Sequence, residues 1–192
     1  MRIAARAARS IVKVNIMLRS TLTALNLLAA TPALAHVTLE QRESPVDASY
    51  KVVLRVPHGC DGSATTKLTV QIPEGVISVK PMIKPGWTID IKRGAYARAY
   101  SFLHGAKFTE GPKEISWSGG NLPDTFYDEF VISTYLAGEL TAGETLYFPV
   151  VQECEKGAHH WIELPSPDKP AGKLGDPAPG VKLLQKAKGH GG

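Results

Sequence analysis

Two cysteines in 192 residues are too few to staple a chain of this size, which excludes a small disulfide scaffold. No apolar run approaches the roughly 20 residues that a membrane-crossing helix needs. The sequence also lacks a Gly-x-Ser-x-Gly nucleophile elbow and a glycine-rich phosphate loop, and no pair of histidines stands at zinc-finger or His-Glu-x-x-His spacing. Acid is missing from residues 1–35, which hold Arg2, Arg6, Arg9, Lys13 and Arg19. Without them the chain keeps 17 basic against 18 acidic residues, a net charge of −1. The isoelectric point near 9.0 therefore belongs to the leader and gives no reason to expect nucleic acid as a partner. An apolar fraction of 43% is ordinary for a globular chain and excludes wholesale disorder. The length suits one domain with a substantial core.

The leader sets the expected compartment. Its basic stretch runs to Arg19, an apolar stretch follows from Leu22 to Ala30, and Thr31-Pro32-Ala33-Leu34-Ala35 closes it. Ala33 and Ala35 supply the small-x-small pattern of signal peptidase cleavage. Residues 1–35 are thus expected to be a cleaved secretory signal, and the mature protein to be periplasmic, soluble and without a membrane anchor. Met17-Leu18-Arg19 would open a compact signal by itself, which makes Met17 an alternative start. Cleavage after Ala35 leaves His36 as the first residue. A free α-amine has a pKa near 7.7–8.0, against about 10.4 for lysine, so a metal displaces its proton more readily. The amine and imidazole of one N-terminal histidine can chelate a single cation, and such nitrogen donors favour Cu(II).

Alternation of apolar and polar residues dominates the chain after the leader. Tyr50, Val52, Leu54 and Val56 share one strand face, with Lys51 and Arg55 on the other. Leu68/Val70/Ile72, Trp87/Ile89/Ile91, Ile115/Trp117, Phe130/Ile132 and Leu146/Phe148/Val150 repeat the period. Turn signals such as Pro57-His58-Gly59, Pro85-Gly86 and Gly119-Gly120-Asn121 separate them. Half-buried strands at this spacing predict an all-β fold, a single antiparallel β-sandwich of immunoglobulin or cupredoxin-like type. The sandwich is expected over residues 36–165, and the Pro/Gly/Lys-rich residues 166–192 as a disordered tail. Cys60 and Cys154 are expected to form a disulfide in an oxidising compartment, the alternative being a thiolate pair for Cu(I).

Of the histidines, His58 and His104 read as turn or surface residues and His190 falls in the tail. His159-His160-Trp161 is more suggestive, although alternation sends the two imidazoles to opposite faces. The run Trp117 to Phe130 is the densest part of the chain, and Asp128 and Glu129 open its second strand.

These pieces resemble the YcnI-like copper-binding domain family. The resemblance rests on the Ala-x-Ala-His-Val-Thr junction, Lys-Pro-Gly-Trp at 84–87, Trp-x-Gly-Gly-x-Leu-Pro-Asp at 117–124, Tyr-Asp-Glu-Phe at 127–130 and the late Trp161, and covers about residues 36–165. It implies an exported sandwich holding one Cu(II) in a single-histidine brace. His36 would give amine and imidazole, Glu129 a carboxylate, and Trp161 a π face beside the metal. Two departures stand out: His160 precedes Trp161 where some relatives have an acid, and no anchor is evident where many relatives have one.

Three functions compete. The first is copper trafficking or homeostasis without catalytic turnover, with other exported copper proteins or a membrane copper transporter as partners. The second is a copper oxidase or monooxygenase in which His159 or His160 completes a two-histidine brace. The third is a metal-free extracytoplasmic interaction module.

Overall fold

The computed structural model describes residues 36–187; the expected signal peptide and residues 188–192 lie outside the described residues. The strands in chain order are β1 (Thr38–Leu39), β2 (Glu43–Pro45), β3 (Ala48–Val56), β4 (Thr65–Gln71), β5 (Val76–Pro81) and β6 (Thr88–Ser101). They continue with β7 (Lys107–Leu122), β8 (Asp128–Leu136), β9 (Thr145–Tyr147), β10 (Val150–Cys154), β11 (Ala158–Trp161) and β12 (Gly180–Leu184). Two short 3-10 turns, Leu103–Gly105 and Ala171–Lys173, are the helical pieces among the described residues.

Alternation produces the layers. One antiparallel sheet has the order β1-β3-β8-β5 and the other β11-β10-β4-β7-β6. Val52, Leu54, Val56, Phe130 and Ile132 from the first bury against Leu68, Val70, Ile115, Trp117 and Val150 from the second. Each such aliphatic side chain contributes about 1.5–3 kcal/mol of transfer free energy. The sandwich expected from the period of two is therefore the fold.

Three local expectations are corrected. The run Leu146/Phe148/Val150 is not one strand: Leu146 lies in β9 and Val150 in β10, which belong to different sheets. Pro149 separates them, having no N–H to donate to a ladder; its carbonyl accepts from Gln71 N at 2.9 Å. Ile91 is exposed although Trp87 and Ile89 are partly buried, because β6 is the outer strand of its sheet. The segment expected as a tail from 166 instead carries β12, which forms a third sheet β2-β12-β9. Val181 and Leu183 on β12 are fully buried in the main core. Two apolar residues in a Pro/Gly background give too short a pattern to read as a strand, so the domain extends past 165 to at least Leu184.

A long β6–β7 hairpin builds a second core, in which Tyr96 and Tyr100 meet Ile77, Tyr135 and Ala137, with Phe102 and Phe108 against them. Glu74 anchors it, pairing with Lys113 and accepting from Tyr100 Oη at 3.1 Å and Ala97 N at 3.3 Å. Burial pushes the Glu74 carboxyl up, but these donors outweigh it and leave the pKa lowered. Cys60 and Cys154 form a disulfide with Cα atoms 5.9 Å apart. It closes the β3–β4 loop onto the end of β10.

Candidate metal centre

β1 is two residues long, yet it positions the start of the described chain. Thr38 pairs with Arg55 on β3, and Arg55 pairs with Glu129 on β8. Cross-strand partners share a sheet face, so Thr38, Arg55 and Glu129 form a row on the outer side, while Val37, Leu54 and Phe130 are buried in the core. His36 lies at this end of β1. With Thr38, Arg42, Arg55, Pro57 and Tyr127 it lines an open hollow of about 240 Å³.

The His36 ring rests on Trp161, with centroids 5.2 Å apart and planes at 56°. Trp161 is only 2% exposed, and its indole N–H is already used: Nε1 donates to Gln152 Oε1 at 3.0 Å. The same amide donates through Nε2 to Thr65 Oγ1 at 2.8 Å and to the His58 carbonyl at 2.7 Å. Gln152 thereby fixes the indole and presents its ring, not its nitrogen, to His36. Sequence reasoning passed over Gln152, although a glutamine two residues after Val150, on the core side of a strand, is a readable signal of a buried polar network.

Glu129 is held at three points. Its N–H donates to Asp128 Oδ1 at 2.7 Å, its carbonyl accepts from Lys84 Nζ at 3.0 Å, and Oε1 meets Arg55 Nε at 3.5 Å. Lys84 also pairs with Asp128 at 2.7 Å and lies 4.7 Å above the Phe130 ring. The Arg55 guanidinium sits 5.7 Å over Tyr127. His36 and Trp161 are thus in direct contact. Glu129 is connected to them through Arg55, which binds its carboxylate and lines the hollow of His36. Arg55 is the second residue that the sequence did not single out.

The remaining motif residues build the frame around this site. Trp87 meets Phe130 edge-on at 5.0 Å, and a Cβ on Gly120 would lie 2.0 Å from Trp87 Cε2. Only glycine allows that approach, and Gly119 beside it adopts a positive φ of 79°. Asp124 Oδ1 accepts from Gly59 N at 2.9 Å, joining the Leu-Pro-Asp stretch to the loop that carries Cys60.

β11 alternates as expected. His159 stacks on Trp161, with centroids 4.7 Å apart and planes at 27°, while His160 is exposed on the other face. His58 approaches His159 edge-on at 6.2 Å. Among the described residues no three His, Cys, Asp or Glu side chains gather into a metal-binding group. A single-histidine brace asks for less, since one N-terminal residue supplies two nitrogens.

Fold and site define an immunoglobulin-like β-sandwich whose first described residue, a histidine, packs on a buried tryptophan at one end. A solved structure of an uncharacterized protein from Nocardia farcinica, described as having an immunoglobulin-like fold, superposes with a TM-score of 0.55 at 24% identity, covering 78% of this chain and 99% of the other. The family model described as a domain of unknown function, DUF1775, matches residues 36–183. The chain belongs to this family, the YcnI-like domain. Its match runs through β12, in agreement with the extended boundary. No curated protein matches the chain. Among the described residues no helix is long and apolar enough to cross a membrane.

Proposed function

We propose that this protein is an exported Cu(II) carrier of copper trafficking or homeostasis, with the metal held at His36. The observation that carries the reading is the packing of His36 on Trp161 at 5.2 Å, at the end of a sheet row that ends on Glu129. Removal of residues 1–35 would free the His36 amine. Amine and imidazole then give two nitrogens, and Glu129 gives a carboxylate that offsets the metal charge. Trp161, its N–H committed to Gln152, acts as an apolar wall that limits water and supplies a π face to the cation. Arg55 would steady the carboxylate through Oε1. The disulfide accords with an oxidising compartment such as the periplasm, and the partners of such a carrier are other exported copper proteins or a membrane copper transporter.

The test is Cu(II) titration of the chain beginning at His36, followed by electron paramagnetic resonance. One tight equivalent with nitrogen hyperfine coupling, lost in His36→Ala and in a chain retaining one residue before His36, is the expected result. Equal binding by the extended chain would sink the brace. A second reading, a copper oxidase, draws on His159, which stacks on the same indole that His36 touches. It requires oxygen consumption with ascorbate that disappears in His159→Ala, whereas the carrier reading expects none.

A further inference from the structure

The strand lysines of this protein divide into two groups. On the strands, Lys67, Lys92 and Lys113 each meet a carboxylate, whereas Lys51, Lys80, Lys107 and Lys182 form no ion pair among the described residues. Lys51 and Lys80, both exposed, are two of these four. They are neighbours: each is the cross-strand partner of Ser133, one from β3 and one from β5. Their backbones are therefore about 10 Å apart, two strand spacings. Like charges so placed repel, and no carboxylate pairs with either among the described residues. Further along β8, Asp128 and Glu129 are engaged by Lys84 and Arg55.

Beside this pair lies apolar surface without a partner. Lys51, Ser133 and Lys80 line an open hollow of about 570 Å³ whose further walls include Val131 and Met82. Met82 also lines a second hollow of about 580 Å³ with Ile83, Pro85, Trp87 and Ile89, so the two adjoin at this residue. The backbone of Met82 is fixed to β8, its N–H donating to Val131 O at 2.8 Å. Met82 is nevertheless 54% exposed and Ile83, at the tip, 85% exposed. Met82 and Ile83 therefore put two adjacent exposed apolar side chains beside two lysines that no carboxylate meets.

We propose that this face docks onto an anionic phospholipid surface. Met82 and Ile83 would enter the acyl boundary, while Lys51 and Lys80 reach phosphates with their stems along the apolar wall. A projecting tip needs no matching pocket in a lipid surface, whereas a protein partner would have to provide one. Trp87, partly buried beside Ile83, sits where an indole favours a membrane interface. The proposal is independent of copper, and places the carrier's cargo site and its membrane contact on different residues.

The experiment uses the chain beginning at His36, which contains the whole described core, with vesicles of phosphatidylglycerol and phosphatidylcholine or of phosphatidylcholine alone. Co-sedimentation and tryptophan emission are read together. Trp117 and Trp161 are buried, so a blue shift on binding reports Trp87. Each lysine at an anionic surface is worth about five-fold in partitioning. Lys51→Gln with Lys80→Gln should therefore lower partitioning about 25-fold, Ile83→Ser should abolish the blue shift, and 1 M salt should release the protein as the screening length falls to about 3 Å. All three side chains are exposed, and unchanged circular dichroism and copper binding would confirm intact variants. Equal binding to neutral vesicles, variants that bind like the parent, or an Ile83-dependent dimer in sedimentation would each overturn the proposal, the last by assigning the face to a second copy.

Discussion

Replacing Gln152 with leucine removes the amide that joins Trp161, Thr65 and the His58 carbonyl, while leaving a side chain of similar volume. Little cavity is created, so the cost comes from polar groups that lose partners. The indole N–H of Trp161 and the hydroxyl of Thr65 are both buried. The Thr65 hydroxyl keeps Cys154 Sγ as a partner at 3.7 Å, so the indole N–H carries most of the cost, about 1–3 kcal/mol for an unsatisfied buried group against a total stability of about 5–15 kcal/mol for a domain. Urea unfolding followed by tryptophan emission measures the difference, with the slope m checked for constancy. In the copper titration the same variant should weaken binding, since the indole is no longer held in place under His36. A stability loss under about 1 kcal/mol would refute the assignment of this network as the fixture of Trp161.

Other perturbations probe the domain boundary, the close approach of Gly120 to Trp87, the disulfide and a charged pair. Truncation after Pro165 removes Val181 and Leu183 from the core; a loss of cooperative unfolding in calorimetry is expected, where a disordered tail would leave the transition unchanged. Gly120→Ala forces a Cβ to 2.0 Å from Trp87 and should cost about 1–3 kcal/mol by overpacking, with a shift in emission as Trp87 moves off Phe130. Cys60→Ser with Cys154→Ser opens a loop spanning 94 positions and should lower stability by up to about 4–5 kcal/mol in the chain-entropy model, read by denaturant midpoint. Hydrogen bonds from Lys186 and Tyr135 hold the Asp47 carboxyl below its ordinary value. A depressed folded pKa gives stability that is present above the unfolded value near 3.9 and lost as pH falls through the folded one. Lys186→Ala should therefore flatten the fall in midpoint on acidifying below about pH 4.

Alternation made the sandwich legible because each long strand has one face in the core and one in water, as Leu54 and Arg55 show on β3. It failed where that condition fails. β12 is too short to display a period, and the run through Pro149 looks continuous in pattern but changes sheet at the residue without an N–H. On the outward side of β5 and β8, Ile77 and Tyr135 are buried by the long hairpin, an arrangement that strand patterning cannot express. His36 was legible from the cleavage pattern of the leader, Glu129 and Trp161 only from family resemblance, and geometry then added Arg55 and Gln152 around them. A cross-strand ion pair and a buried amide bridge depend on register, which one sequence does not encode visibly.

The pairing of β12 with β2 has a mechanical side. These strands run parallel, and they lie near opposite ends of the described chain, joined by bonds such as Lys182 N to Arg42 O at 2.7 Å and Val46 N to Leu184 O at 3.1 Å. Tension applied between the two ends pulls parallel strands lengthwise past one another. All of their hydrogen bonds then bear the force together, instead of opening one after another like a zip. A domain pulled from its two ends would resist extension at this seam, formed by the segment that composition marked as a tail.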